Sequence, residues 1–326
     1  MMKRIGILSG GKSAEHEISL LSAKNIFDAI DRSKFDPTLI KIEKNGQWRM
    51  DVISQFDAIF PVLHGPFGED GTIQGYLKLA DIPFVGSDVL GSAVGMDKDV
   101  MKRLLRDARI PIGKFLTFRS HNVMPNFDEL NTALGSPFFI KPANMGSSVG
   151  ISKVNNETEL TAALKEAFQY DSKIIIEEFI PGREIECAVL GNENPIASLP
   201  GEIIPTHDFY SYDAKYIDED GAALHIPAKL DDETTKHIQR TAIEVFQALC
   251  CEGISRVDFF LKAGGELIVN EINTMPGFTK MSMYPKMWEA SGITYADLIT
   301  RLIELAISRH VKNVKFGINQ ALDRVN

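Results

Sequence analysis

Cross-linking chemistry has little to work with in this chain. Three cysteines, Cys187, Cys250 and Cys251, occur in 326 residues. The number is odd and no Cys-x-x-Cys spacing exists, which argues against a disulfide framework and a thiolate zinc site. Long apolar runs are also missing. None approaches the roughly 18 residues that span a bilayer, and the opening Met-Met-Lys-Arg-Ile-Gly-Ile-Leu-Ser-Gly-Gly is too short in apolar residues for a secretory signal. Basic charge is in deficit, with 35 Lys and Arg against 44 Asp and Glu and a net charge of -9. A nucleic-acid surface needs clustered cations that displace counterions, so neither nucleic acid nor membrane is an expected partner. Two common nucleotide signatures are lacking as well. Gly6, Gly10 and Gly11 do not fit the Gly-x-Gly-x-x-Gly of dinucleotide binding, and there is no Gly-x4-Gly-Lys-Ser/Thr loop.

What remains has the balance of a globular protein, 44% hydrophobic and 24% charged, and the expected setting is cytoplasmic. The length suggests two or three domains. Ile5 to Ser9 reads as a buried strand before a Gly-Gly turn. Ile18, Leu21, Ile26 and Ile30 then recur near helical spacing, and Phe56 to Leu63 reads as a second strand. That order predicts a parallel α/β unit over 1–95. A second unit, 96–181, opens on an amphipathic helix from Met96 to Ala108. It holds the strand Phe138 to Lys141, a Gly- and Ser-rich loop, a helix from Glu157 and the strand Ile174 to Phe179. The third, 182–326, carries a Tyr- and Asp-rich segment from His207 to Gly221, a helix from Asp231 to Leu249 and two closing helices.

Two short apolar segments concentrate the chemistry. Residues two apart on a strand share a face, so Arg256 and Asp258 project together, as do Glu271 and Asn273. If the strands are neighbours, two carboxylates, an amide oxygen and a guanidinium converge, a donor set that suits magnesium beside phosphates. Taken alone, each pair could equally be a strand-end ion pair. Lys141 precedes Asn144-Met-Gly-Ser-Ser-Val-Gly150, a segment whose backbone N–H groups and hydroxyls can fold over phosphate oxygens. Glu177, near the end of an apolar strand, could read an adenine amino group and Glu184 could hold ribose hydroxyls; solvated charge is the competing reading.

Taken in order, Gly10-Gly-Lys-Ser-Ala-Glu15-His-Glu-Ile-Ser19, His64-Gly-Pro-Phe-Gly-Glu69-Asp-Gly71, Met96-Asp-Lys98, Lys141-Pro with Gly146-Ser-Ser-Val-Gly150, Tyr212-Asp-Ala-Lys215-Tyr216, Arg256-Val-Asp258 and Glu271-Ile-Asn273-Thr-Met-Pro-Gly277 resemble the D-alanine-D-alanine ligases of the ATP-grasp superfamily. The resemblance covers essentially the whole chain. It implies a three-domain α/β architecture, an N-terminal parallel α/β domain followed by two α+β domains that sandwich the nucleotide. It also implies ATP as substrate, two magnesium ions, with manganese as a substitute, D-alanine as the other substrate, and a homodimer. Lys98, Lys141, Ser148 and Lys215 would meet phosphates, with Glu177, Phe179 and Glu184 around the nucleoside and Asp258, Glu271 and Asn273 on the metal. Glu15, Ser147 and Tyr216 would close the first amino-acid site, with His64 beside its carboxylate. Arg256 and the N–H of Gly277 would stabilise an oxyanion, and Ser282 with the N–H of Met283 would take the second substrate's carboxylate. The sequence departs from some relatives at Glu178-Phe179 and at Met275 and Lys280-Met281. A D-alanine-D-serine or D-alanine-D-lactate ligase is the alternative within the superfamily.

Overall fold

The computed structural model describes residues 2–205 and 222–316. Lys215, Tyr216 and the Tyr- and Asp-rich segment from 207 to 221 lie outside them. The chain begins with β1 (Lys3–Gly10), α1 (His16–Ala29), β2 (Phe35–Ile42) and β3 (Ala58–Val62), forming a parallel sheet of order β2-β1-β3. β2 was not anticipated because Pro37 interrupts it. As an edge strand it tolerates the missing N–H. The turn after β1 requires glycine at position 10, where φ is 94° and a Cβ would lie 2.2 Å from the Ile42 carbonyl oxygen. Helices α2 (Thr72–Leu79), α3 (Val89–Met96) and α4 (Lys98–Asp107) follow. Asp97 caps α4, its carboxylate accepting from the N–H groups of Asp99 and Val100.

The next elements are β4 (Phe115–Arg119), α5 (Phe127–Leu134), β5 (Phe138–Pro142), β6 (Ser152–Val154), α6 (Glu157–Tyr170) and β7 (Lys173–Glu178). Their strands form an antiparallel sheet of order β4-β7-β5-β6. Leu160, Ala163 and Ala167 recur along one face of α6 and are buried with Phe138, Ile140, Ile174 and Ile176. Asn156 starts that helix by accepting the N–H of Glu159.

A larger antiparallel sheet uses β8 (Arg183–Gly191), β9 (Ile196–Ala197), β10 (Gly201–Pro205), β11 (Ala222–His225), β12 (Gly253–Leu261) and β13 (Leu267–Asn273). Its order is β11-β10-β8-β12-β13, with β9 on β8. Helix α7 (Asp232–Ala248) buries Ile238, Ala242, Val245 and Phe246 against it, the i, i+4, i+7, i+8 stripe of an amphipathic helix. Fully burying such a side chain contributes about 1.5–3 kcal/mol. The chain closes with α8 (Met283–Ala290) and α9 (Tyr295–Phe316), the two closing helices expected from the sequence.

Helices α8 and α9 join the first sheet to the largest one. Ile5, Phe60, Ile254, Phe278, Trp288 and Leu302 belong to one buried cluster. Arg309, on α9, is 7% exposed and donates to the carbonyls of Gly86 and Phe84 while pairing with Glu252 at 3.2 Å. Replacing Arg309 with alanine leaves two buried carbonyls without donors, which costs about 2–4 kcal/mol. Urea unfolding should register that loss; a change below about 0.5 kcal/mol, the surface-substitution range, contradicts it.

Candidate active site

Each sheet contributes one wall to a pair of adjoining cavities. The first, about 450 Å³, lies between the four-stranded sheet and the largest sheet and is lined by Lys98, Lys141, Ser148, Glu177, Phe179, Glu184 and Glu271 among others. The second, about 390 Å³, lies toward the N-terminal sheet and is lined by Glu15, His64, Arg256, Asp258, Asn273, Gly277, Ser282 and Met283 among others. Ser147, Glu184 and Glu271 line both. All the anticipated site residues within the described segments therefore border one of two neighbouring spaces.

The backbone register brings the two strand-borne pairs together. β12 pairs with β13 so that Arg256 stands opposite Asn273 and Asp258 opposite Glu271, while β8 places Glu186 opposite Asp258. Glu186, Asp258 and Glu271 thus form a row of acids across three strands. Such a row repels itself unless cations intervene. Arg256 supplies one. Its Nε and Nη2 donate to the two Asp258 oxygens at 2.7 Å each, and Nε lies 3.0 Å from Glu186. Burial alone would favour losing the Arg256 proton, but Asp258 and Glu186 outweigh it and raise its pKa well above the ordinary value. Lys98 supplies the second cation, 3.3 Å from Glu271, and also donates to the Met145 carbonyl at 2.8 Å.

The donor chemistry fits magnesium. Asp258 and Glu271 are hard oxygen donors, and Asn273 donates its Nδ2 hydrogen to Asp258 at 3.0 Å, which leaves its carbonyl oxygen as an acceptor. Among the described residues no group of three or more His, Cys, Asp or Glu could hold a metal. Two carboxylates and one amide leave coordination positions for phosphate and water, as magnesium prefers.

Lys141, on β5, meets Glu177 Oε2 at 2.6 Å, and Lys102 meets Oε1 at 2.8 Å. Burial alone would raise the Glu177 pKa, but the two lysines outweigh it and hold it down at about 2. The Glu178 carboxylate is turned elsewhere, accepting the Lys114 N–H at 2.7 Å. Phe179 packs against Phe139 with ring centroids 6.2 Å apart. In the loop after β5, Ser147 and Ser148 have φ of 52° and 60°, left-handed backbone that is rare for residues with a side chain and recurs where chain is shaped around a ligand.

In the second cavity Glu15 occupies the position before α1, 7% exposed. His64 follows β3, with Nδ1 3.1 Å from the Met275 carbonyl. That contact makes Nδ1 the donor, and Nε2 is buried with no hydrogen-bond partner among the described residues. Ser282 precedes α8, and its Oγ accepts the Thr279 N–H at 3.1 Å and shares a proton with Thr279 Oγ1 at 2.8 Å. Met283 begins the helix, whose first-turn N–H groups favour an anion. Gly277 lies so close to Ser282 that a Cβ would stand 3.0 Å from Oγ.

Glu69, Lys102 and Glu186 were not singled out from the sequence as site residues. Glu186 is two residues beyond Glu184 on β8 and Lys102 is one helical turn beyond Lys98, so the spacing used for their neighbours points to both. Glu69 left no such signal, because its position depends on loop burial.

Two clamping layers around a cavity of lysines and acids place the chain in the ATP-grasp class of α/β enzymes. The comparisons with known proteins agree. The family model described as D-ala D-ala ligase N-terminus matches residues 4–55 and 49–87, and that for the D-ala D-ala ligase C-terminus matches 104–304. A D-alanine–D-alanine ligase of Oceanobacillus iheyensis is 52% identical, covering 96% of this chain and 97% of that one. Among solved structures, the D-alanine-D-alanine ligase of Coxiella burnetii superposes with a TM-score of 0.87 at 39% identity, over 99% of this chain and 97% of that one. The VanG D-Ala:D-Ser ligase of Enterococcus faecalis gives 0.86 at 38%, over 94% and 100%. A Bacillus anthracis D-alanine–D-alanine ligase complexed with ATP gives 0.82 at 30%, over 95% and 99%. The chain belongs to the D-alanine–D-alanine ligase family.

Glu69 generates a pH prediction. Burial, with Glu15 adding repulsion, raises its pKa from 4.5 to about 8, although the Gly65 N–H and Lys98 act in the opposite sense. In the unfolded chain the group ionises near 4.5, so folding at higher pH requires proton uptake. The stability it contributes is complete below pH 4.5 and is lost as pH rises to about 8. Urea midpoints of the native chain relative to Glu69→Gln should therefore fall from pH 5 to pH 8 and level off above. A difference that stays flat over that window contradicts the assignment.

Proposed function

We propose that this chain joins two D-alanine molecules at the expense of ATP, forming D-alanyl-D-alanine through a D-alanyl phosphate. The observation that carries this reading is the pair of adjoining cavities that share Ser147, Glu184 and Glu271. One has the cations a polyphosphate needs, and the other has the groups an amino acid needs. A carboxylate is a poor electrophile, so amide formation calls for activation. Transfer of the γ-phosphoryl group to the first D-alanine supplies it, and the amine of the second D-alanine then attacks the acyl phosphate.

In this reading Glu15 pairs with the ammonium of the first D-alanine, with Ser147 and Tyr216 closing over it and His64 near its carboxylate. Lys98, Lys141, Ser148 and Lys215 hold the phosphates. Glu177, Phe179 and Glu184 surround the nucleoside. Phosphoryl transfer depends mainly on positioning and charge neutralisation, which is what a cavity lined by fixed lysines offers. Asp258, Glu271 and Asn273 would hold two magnesium ions, which neutralise charge on the transferring group when bound. Arg256 and the Gly277 N–H stabilise the tetrahedral oxyanion, where preorganised donors give their largest effect. Ser282 and the Met283 N–H receive the second substrate's carboxylate, helped by the start of α8. Formation of a peptidoglycan precursor from cytoplasmic ATP makes the cytoplasm the natural setting.

The second substrate separates this reading from its nearest rival. The curated relative at 52% identity carries the D-alanine–D-alanine name, while the D-Ala:D-Ser ligase structure stands at 38%. ADP formation measured with D-alanine, D-serine and D-lactate in turn, with and without magnesium, tests it. D-alanine alone should support turnover, and only with magnesium; ADP release that requires a D-alanine and D-serine mixture contradicts the assignment. Arg256→Lys keeps a cation for Asp258 but loses the guanidinium fork, and should lower kcat by about 10²-fold with a smaller change in the KM for ATP. An unchanged kcat removes Arg256 from the oxyanion role.

A further inference from the structure

Lys102 has no part in the assignments above. It lies on α4 one turn after Lys98, and its side chain is 3% exposed, yet it lines the first cavity and meets Glu177 at 2.8 Å. Lys141 reaches the other oxygen of the same carboxylate from β5 at 2.6 Å. Glu177 itself is 8% exposed, so one buried acid is shared by two ammonium groups.

A buried ion pair needs only one partner of each sign to avoid an uncompensated charge. The second lysine does more than satisfy Glu177, because it leaves the three-residue cluster with a net charge of +1. That surplus matters here, since acids outnumber cations five to four in the wall of the cavity. A cavity of that balance attracts a polyanion only where local charge is arranged in its favour.

We propose that Lys102 is a positioning residue for the nucleotide. It takes one oxygen of Glu177, so that Lys141 keeps positive charge to offer the phosphates instead of being cancelled by its acid. This rests on the nucleotide reading of the cavity. Without Lys102 the cluster would be neutral, and the full attraction between Glu177 and Lys141 would be spent within the protein.

The test is calorimetric titration of the full chain with ATP and with adenosine, in the native chain, in Lys102→Met, in Glu177→Gln, and in the two combined. Circular dichroism establishes that each variant is folded. Lys102→Met should weaken ATP about tenfold, the size of a lost charge-assisted contact, and adenosine less than about twofold. The KM for D-alanine should stay within about twofold. In the Glu177→Gln background the further change Lys102→Met should weaken ATP by less than about threefold, because Lys102 acts through that carboxylate. Equal losses for ATP and adenosine, or no loss for ATP, would overturn the proposal. If Lys102→Met does not fold, the double variant carries the test: an ATP affinity tenfold or more below that of Glu177→Gln alone overturns it. Failure of the native chain to bind ATP at all sinks the nucleotide reading instead, so the two failures are distinguishable.

Discussion

Like charges cannot be crowded into a cleft without counter-charges, and this requirement organises the molecule. Glu186, Asp258 and Glu271 stand in one row across β8, β12 and β13. Arg256 from the same sheet and Lys98 from α4 balance that row. On the facing wall Lys102 and Lys141 balance Glu177. The cations come from separate elements, so the charge pattern exists only when the layers are assembled. The shared core around α8 and α9, with Arg309 tied to the carbonyls of Gly86 and Phe84, holds the N-terminal sheet against the same framework.

This balance also prepares the chemistry. The acids and cations are already paired, so in the proposed reading an incoming nucleotide would exchange partners instead of facing bare buried charge. Glu271 is central because it pairs with Lys98 and borders both cavities. In that reading an exchange there would free the carboxylate to hold a metal and the ammonium to meet a phosphate. In the same proposed reading the amino acid to be activated would lie across the shared wall, where proximity replaces a bimolecular encounter.

Much of this was legible in the sequence, and the reasons are particular. Period-two spacing put Arg256 with Asp258 and Glu271 with Asn273, and the register of β12 and β13 agrees. The 3.6-residue stripe of α7 and the apolar run of β7 announced themselves because burial on one or both faces dictates their pattern. Pro37 concealed β2, since sequence does not reveal that this strand lies at an edge. Glu69 was concealed for a related reason: its raised pKa comes from burial and from Glu15, a residue far from it along the chain. The left-handed backbone at Ser147 and Ser148 was equally hidden, because neither residue type favours it and only the assembled loop imposes it.

The most direct test of the charge-exchange account is the affinity of the native chain for ATP titrated against magnesium. If Glu271 and Lys98 part to receive metal and phosphate, ATP binding should be weak without magnesium and should tighten by at least about tenfold as the ion is added, as expected when carboxylates bind an ion together with substrate phosphates. Equal ATP affinity with and without the ion would contradict the account at its centre.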